Sequence, residues 1–193
     1  ILKEYRDSGA DILFSAEKFF TYQYPRYKKI YDNNSNGSNY RYLAAGTYIG
    51  TVKAIREMIE ECANLGCSDK NSGLYGAVEM GVMSGWIAEV LNGTRPTWIN
   101  PKLDTGGRIF WVTTDDKKLF GDAVDNFENT NSIYNNETNT YPKILHLLTN
   151  YGRERQEEAY NKITSEWFNS EDYLESKFLR NYLTVLILSY NRP

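Results

Sequence analysis

At 193 residues, with 41% hydrophobic and 24% charged side chains, the chain is long and apolar enough to close one domain around a core, which excludes a disordered tail. A formal net charge of -3, with Lys and Arg scattered rather than striped, excludes phosphate-backbone recognition as the leading theme, so no nucleic-acid partner is expected. No run approaches the roughly 18 apolar residues of a membrane helix and no signal-peptide pattern opens the chain, so no membrane span is expected.

The chain opens on Ile1 rather than Met, inside what reads as the tail of a helix, and closes on the strand-like run LTVLILSYNRP at 183–193. Both ends read as cut from a longer polypeptide. Residues 11–17, DILFSAE, suit a buried strand, and 42–50, YLAAGTYIG, a second one closed by Gly50. The Asn- and Gly-rich stretch 32–39 between them reads as a loop. From 51 to 65, Val52, Ile55, Ile59 and Cys62 recur at spacings of three and four, the signature of an amphipathic helix. Residues 73–93 also read helical, weakened by Gly76, Gly81 and Gly85 at about 1 kcal/mol each relative to Ala. Further strands are expected at 108–114 and 142–148, a loop at 126–140, and charged amphipathic helix after Gly152. Strands alternating with helices predict an α/β layer fold.

Cys62 and Cys67 fit neither a zinc pattern nor a disulfide framework and read as small core or surface residues. Asn-x-Ser/Thr sequons begin at Asn33, Asn36, Asn92 and Asn136, a number that an Asn-, Ser- and Thr-rich chain reaches by chance.

Five pieces in order carry a family resemblance: FSAE at 14–17, YP at 24–25, RYLAAGTYIG at 41–50, LDTGGRIF at 103–110 and YPKILH at 141–146. Together, over roughly residues 1–160, they resemble the glycosyltransferase domain of the procollagen lysyl hydroxylases. The resemblance implies the GT-A fold, a Rossmann-like mixed sheet with flanking helices that holds a UDP-sugar and a Mn²⁺ ion. It further implies a D-x-x-D metal motif upstream of Ile1, a helical linker at 161–182, and in 183–193 the first strand of a following domain. The same resemblance is compatible with an endoplasmic-reticulum setting or a viral factory and leaves the compartment open; heavy Asn, Tyr and Ile usage would suit a viral or protist source.

A sugar transferase must stabilise charge building on its diphosphate leaving group, which a divalent cation does well. His146 is the sole histidine and stands at the end of an apolar strand, where α/β sheets present ligand groups. By resemblance it matches the family's metal-binding His; read alone, it suits a strand cap or a hydrogen-bonded core residue better than a ligand. Glu17, at a strand end, either holds a sugar hydroxyl or braces a loop, or equally is a solvated or N-cap-like carboxylate. Gly46 and Thr47 replace the family's paired glycines, whose bare backbone permits close approach of a ligand, and the Thr47 hydroxyl becomes a candidate substrate contact. Asp104 is expected to pair with Arg108 in a structural salt bridge.

The departures are specific. Where the family carries an acidic run, this chain has CSDKNSGLY at 67–75, which leaves Asp69 as the carboxylate near the transferred sugar and Asn71 beside it. The family's H-G-N-G is HLLT here, with Asn150 and Arg153 following as candidate diphosphate contacts, though an Arg at a helix start also serves on a solvated face. Two functions follow: a metal-dependent transferase moving a hexose from a UDP-sugar to a hydroxylysine-bearing, collagen-like acceptor, or a catalytically degenerate GT-A-like module that kept the scaffold and lost the chemistry.

Overall fold

The computed structural model describes residues 1–20, 25–68, 79–113 and 133–146. The elements are α1 (Leu2–Ser8), β1 (Ile12–Glu17), a 3₁₀ turn (Pro25–Tyr27), α2 (Lys28–Asn34), β2 (Tyr42–Gly50), α3 (Val52–Ser68), α4 (Glu79–Leu91), β3 (Pro101–Leu103), β4 (Phe110–Val112) and β5 (Ile144–His146). Among the described residues, no helix is long and apolar enough to cross a membrane.

The fold is α/β, built around β1. All six residues of β1 are buried, as its apolar run requires of a central strand. It pairs antiparallel with β2 and parallel with β3, giving a mixed sheet in the order β2-β1-β3. Alternation along β1 splits the core: Ile12 and Phe14 pack into the cluster that α2, α3 and α4 complete, whereas Leu13 packs with Ile109 and Phe110 on the opposite side. A second, parallel pair, β4 and β5, aligns Phe110, Trp111 and Val112 with Ile144, Leu145 and His146.

Three expectations are corrected. The Asn-rich segment does not begin as loop at residue 32, because α2 runs through Asn34; Tyr31 anchors it by full burial, donating its hydroxyl to the Ser84 carbonyl at 2.8 Å. On α3 the buried stripe is Ala54, Met58 and Cys62, while Val52 is 86% and Ile59 51% exposed. The small Ala54 and unbranched Met58 allow the helix to lie close to α4, which turns Val52 and Ile59 outward while Ile55 packs at the edge of the core. Asp104 forms no ion pair with Arg108; its carboxylate accepts the backbone N–H groups of Arg108, Ile109 and Phe110 at 3.0, 2.7 and 2.9 Å.

Helix α4 tolerates Gly85 for a packing reason. A β-carbon there would lie 3.2 Å from the Tyr27 ring, so the bare backbone admits that side chain. The Tyr27 hydroxyl donates to Glu89 at 2.9 Å, and Glu89 also takes two N–H groups from Arg95. Cys62 is buried, and burial pushes its thiol up to about 12, which marks it as packing rather than chemistry.

Candidate functional site

The sheet positions two of the nominated residues against each other. His146 ends β5, paired with Val112, and its carbonyl accepts the N–H of Thr113 at 3.1 Å, so the backbone that carries the imidazole is fixed by the ladder. The ring lies over Gly46 of β2. A β-carbon at residue 46 would sit 2.3 Å from Cε1, 3.0 Å from Nε2 and 3.3 Å from Nδ1, so only glycine fits beneath the ring.

Gly46 reaches that place through a break in register. Phe14 faces Tyr48, yet the next residue, Ser15, faces Ala44, which leaves Ala45, Gly46 and Thr47 as an insertion in β2. Such bulges bend a strand and re-aim its residues. Ala45 turns into the core while Gly46 stays exposed. The Thr47 hydroxyl donates to Ser15 Oγ at 2.8 Å, and Ser15 in turn donates to the Ala44 carbonyl at 2.8 Å. The hydroxyl nominated for substrate thus pins the bulge by its proton and keeps only its acceptor capacity for other contacts.

The electrostatics of His146 suit a neutral ligand nitrogen. Burial holds its pKa below the ordinary 6.5, so the imidazole is neutral at pH 7. Its Nδ1 is sealed from solvent and has no hydrogen-bond partner among the described residues. An unmet polar atom of that kind costs about 1–3 kcal/mol, a cost that a bound cation or donor would remove.

Glu17 ends β1 two residues beyond Ser15. It is 2% exposed, and its carbonyl accepts the Arg41 N–H at 3.1 Å. The next residue, Lys18, pairs with Glu137 and lies 4.9 Å over the Tyr40 ring. Tyr40 is itself held by Trp111 Nε1 at 3.0 Å and Asn135 Nδ2 at 3.2 Å, while Asn39 donates to Glu137 at 2.6 Å. A tie between the 135–140 turn and the mouth of β1 results. Its sequence signal was NNETNT, where Asn135 Oδ1 accepts the N–H groups of Glu137 and Thr138 and so folds its own turn.

Burial opposes ionisation of Glu137, but the Lys18 and Asn39 hydrogen bonds outweigh it and hold the carboxyl below its ordinary 4.5. A depressed folded-state pKa means that the tie contributes fully above about pH 4.5 and fades as pH falls through the folded value. Glu137→Gln should therefore lower the thermal midpoint at pH 7 and lower it by less at pH 3. An equal loss at both values would show that the charge of Glu137 is irrelevant to the tie.

Asp69, Asn71, Asn150 and Arg153 lie outside the described residues. For a cation, His146 fits as one donor by its chemistry and its unmet nitrogen, but among the described residues no three His, Cys, Asp or Glu side chains gather into a metal-sized group. A cleft of about 260 Å³ between α1, β3 and the following turn is lined by Glu4, Ser8, Lys102, Asp104 and Arg108 among the described residues, and Glu17, Gly46, Thr47 and His146 do not border it.

Residues 1–77 match the family model described as the PLOD GT domain, in accord with the resemblance to the lysyl hydroxylase glycosyltransferase domain. No curated protein matches the chain. The matched span holds FSAE and RYLAAGTYIG, and with them Glu17, Gly46 and Thr47; LDTGGRIF and YPKILH lie beyond it. The match supports a glycosyltransferase-type function, which implies a nucleotide-sugar donor and an acceptor, and the α/β scaffold is compatible with part of a GT-A fold.

Proposed function

We propose, from the PLOD glycosyltransferase character of residues 1–77, that the protein transfers a hexose from a UDP-sugar to the hydroxyl of a hydroxylysine-type side chain in a collagen-like acceptor. The acceptor oxygen forms the new bond to the anomeric carbon, the bond from that carbon to the diphosphate breaks, UDP departs, and the hydroxyl proton leaves to a base. A divalent cation, Mn²⁺ in this reading, neutralises charge on the departing diphosphate when bound. His146 would offer it one neutral nitrogen, with the other donors drawn from residues outside those described.

The remaining nominated residues take roles in the same reading. Asp69 stands near the transferred sugar, where a lone carboxylate orients a hydroxyl or steadies positive charge, with Asn71 beside it. Glu17 and Thr47 border the sugar side, and Asn150 and Arg153 meet the diphosphate, Arg with a fork suited to phosphate oxygens. Residues 1–160 form the domain in this proposal, 161–182 link it onward and 183–193 begin the next unit.

The observation that carries the proposal is the family match, supported by the neutral, unsatisfied imidazole of His146. Calorimetry of UDP binding with and without Mn²⁺ tests it. Metal-dependent binding is expected, and His146→Ala should abolish it while circular dichroism stays unchanged. Metal-dependent affinity that survives the substitution would remove His146 from the site. HLLT in place of H-G-N-G favours a second reading, a non-catalytic GT-A-like module. Absence of UDP binding in both conditions would establish that reading instead.

A further inference from the structure

We propose that Gly46 is the positioning residue for His146: the bulge of β2 presents a backbone without a side chain as the seat of the imidazole, and so fixes where the ring stands at the end of β5. The proposal rests on the transferase reading only for what the ring then binds.

The geometry leaves little latitude. The 2.3 Å separation between a residue-46 β-carbon and Cε1 is far inside van der Waals contact, and all three nearest atoms belong to the same ring. The ring is tethered to a ladder through the Val112 pairing and the Thr113 hydrogen bond, so it yields only by leaving its rotamer. The seat is equally fixed. Thr47 to Ser15 to Ala44 is a chain of two hydroxyl hydrogen bonds that crosses the register break on either side of Gly46. Ring and seat come from strands about 100 positions apart, so their contact is a tertiary lock between the two sheets, whose local rule is simply that residue 46 has no side chain.

Gly46 thereby acts on His146 and through it on whatever the imidazole ligates. Residue 46 itself need touch neither sugar nor diphosphate. This differs from the expectation that the small residues of this strand admit a ligand, since here they admit a side chain.

His146 is the sole histidine, so its Cε1–H proton gives one imidazole signal in the NMR spectrum of the full chain. Three variants suffice: Gly46→Ala, His146→Ala and the double variant. Without metal, Gly46→Ala is expected to shift the Cε1–H signal, and the loss in thermal midpoint that it causes should largely vanish when His146 is already Ala. Equal losses in both backgrounds would overturn the proposal. Should Gly46→Ala fail to fold, recovery of cooperative unfolding in the double variant supports the lock, and continued failure to fold refutes it.

Added Mn²⁺ separates the seating of the ring from its metal binding. Paramagnetic broadening of the parent Cε1–H signal, with about ten-fold more metal needed in Gly46→Ala, is the expected result, in line with the usual cost of losing a group that orients a ligand. Broadening at the same metal concentration in parent and variant would show that the seat does not position the ring. No broadening in the parent would end the metal role of His146, while the cycle of variants would still decide the seat.

Discussion

Trp86→Ala is expected to lower the unfolding free energy by about 4 kcal/mol, the upper range for truncating a fully buried aromatic side chain. Trp86 is 0% exposed and sits in α4 within the cluster formed with α2, α3 and the sheet. It is also a donor: its Nε1 meets Glu61 of α3 at 2.6 Å. Glu61 in turn lies 3.7 Å from Arg95, which pairs with Glu89, and Glu89 accepts the Tyr27 hydroxyl. Truncation thus leaves a cavity and removes the donor that joins α4 to α3. Urea unfolding of Trp86→Phe beside Trp86→Ala separates the two effects, because Phe keeps most of the volume and none of the hydrogen bond. A loss below about 1 kcal/mol for the Ala variant would show that the core relaxes around the missing ring.

Asp104→Ala is expected to cost about 3 kcal/mol, although the side chain pairs with no cation among the described residues. Its two oxygens accept three consecutive backbone N–H groups, its own N–H donates to the Phe14 carbonyl at 2.8 Å, and its carbonyl accepts the Gly107 N–H at 3.0 Å. Hydrogen bonds to a charged acceptor contribute about 1.5–3 kcal/mol each, and the turn recovers part of the loss by rehydrating. Asp104→Asn should fall between parent and Ala, since one amide oxygen replaces two carboxylate oxygens and the NH₂ faces donors. The turn leads from β3 to β4, which carries β5 and His146, so the variant should also broaden the imidazole signal. A stable Asp104→Ala protein with parent-like unfolding would show that the turn holds without its carboxylate.

The sequence revealed those elements whose signal is local. The apolar run of β1, the nine residues of β2 and the helical period behind α3 appear where the pattern placed them. Features decided by distant partners were hidden. The side of α3 that faces inward depends on the tight approach of Ala54 and Met58, which hydrophobicity ranks below Val52 and Ile59. Strand β3 is three residues opening on Pro101, and its pairing with β1 is all that makes it a strand. Asp104 suggested a partner of opposite charge four residues on, whereas the chain bends back so that its amides reach the carboxylate first.

The site divides in the same way. His146 at a strand end was legible because chemistry and position coincide in one residue. Its seat was not, because Gly46 acquires meaning only when strands about 100 positions apart meet. A glycine beside a threonine in a strand signals a bulge; it does not say which side chain the bulge receives.

The central place of β1 also sets an order of assembly. During synthesis β1 emerges before β2, which reaches it after a few dozen residues, so one edge closes early. The other edge waits for the segment around Asn100, whose N–H meets the Asp11 carboxylate across 89 positions. At about 5–20 residues per second, the ribosome leaves that edge open for roughly 4–18 s. For that interval the nascent chain presents an unpaired strand edge that carries Ile12, Leu13 and Phe14, and any chaperone that shields it would be acting on those three residues before β3, β4 and β5 exist.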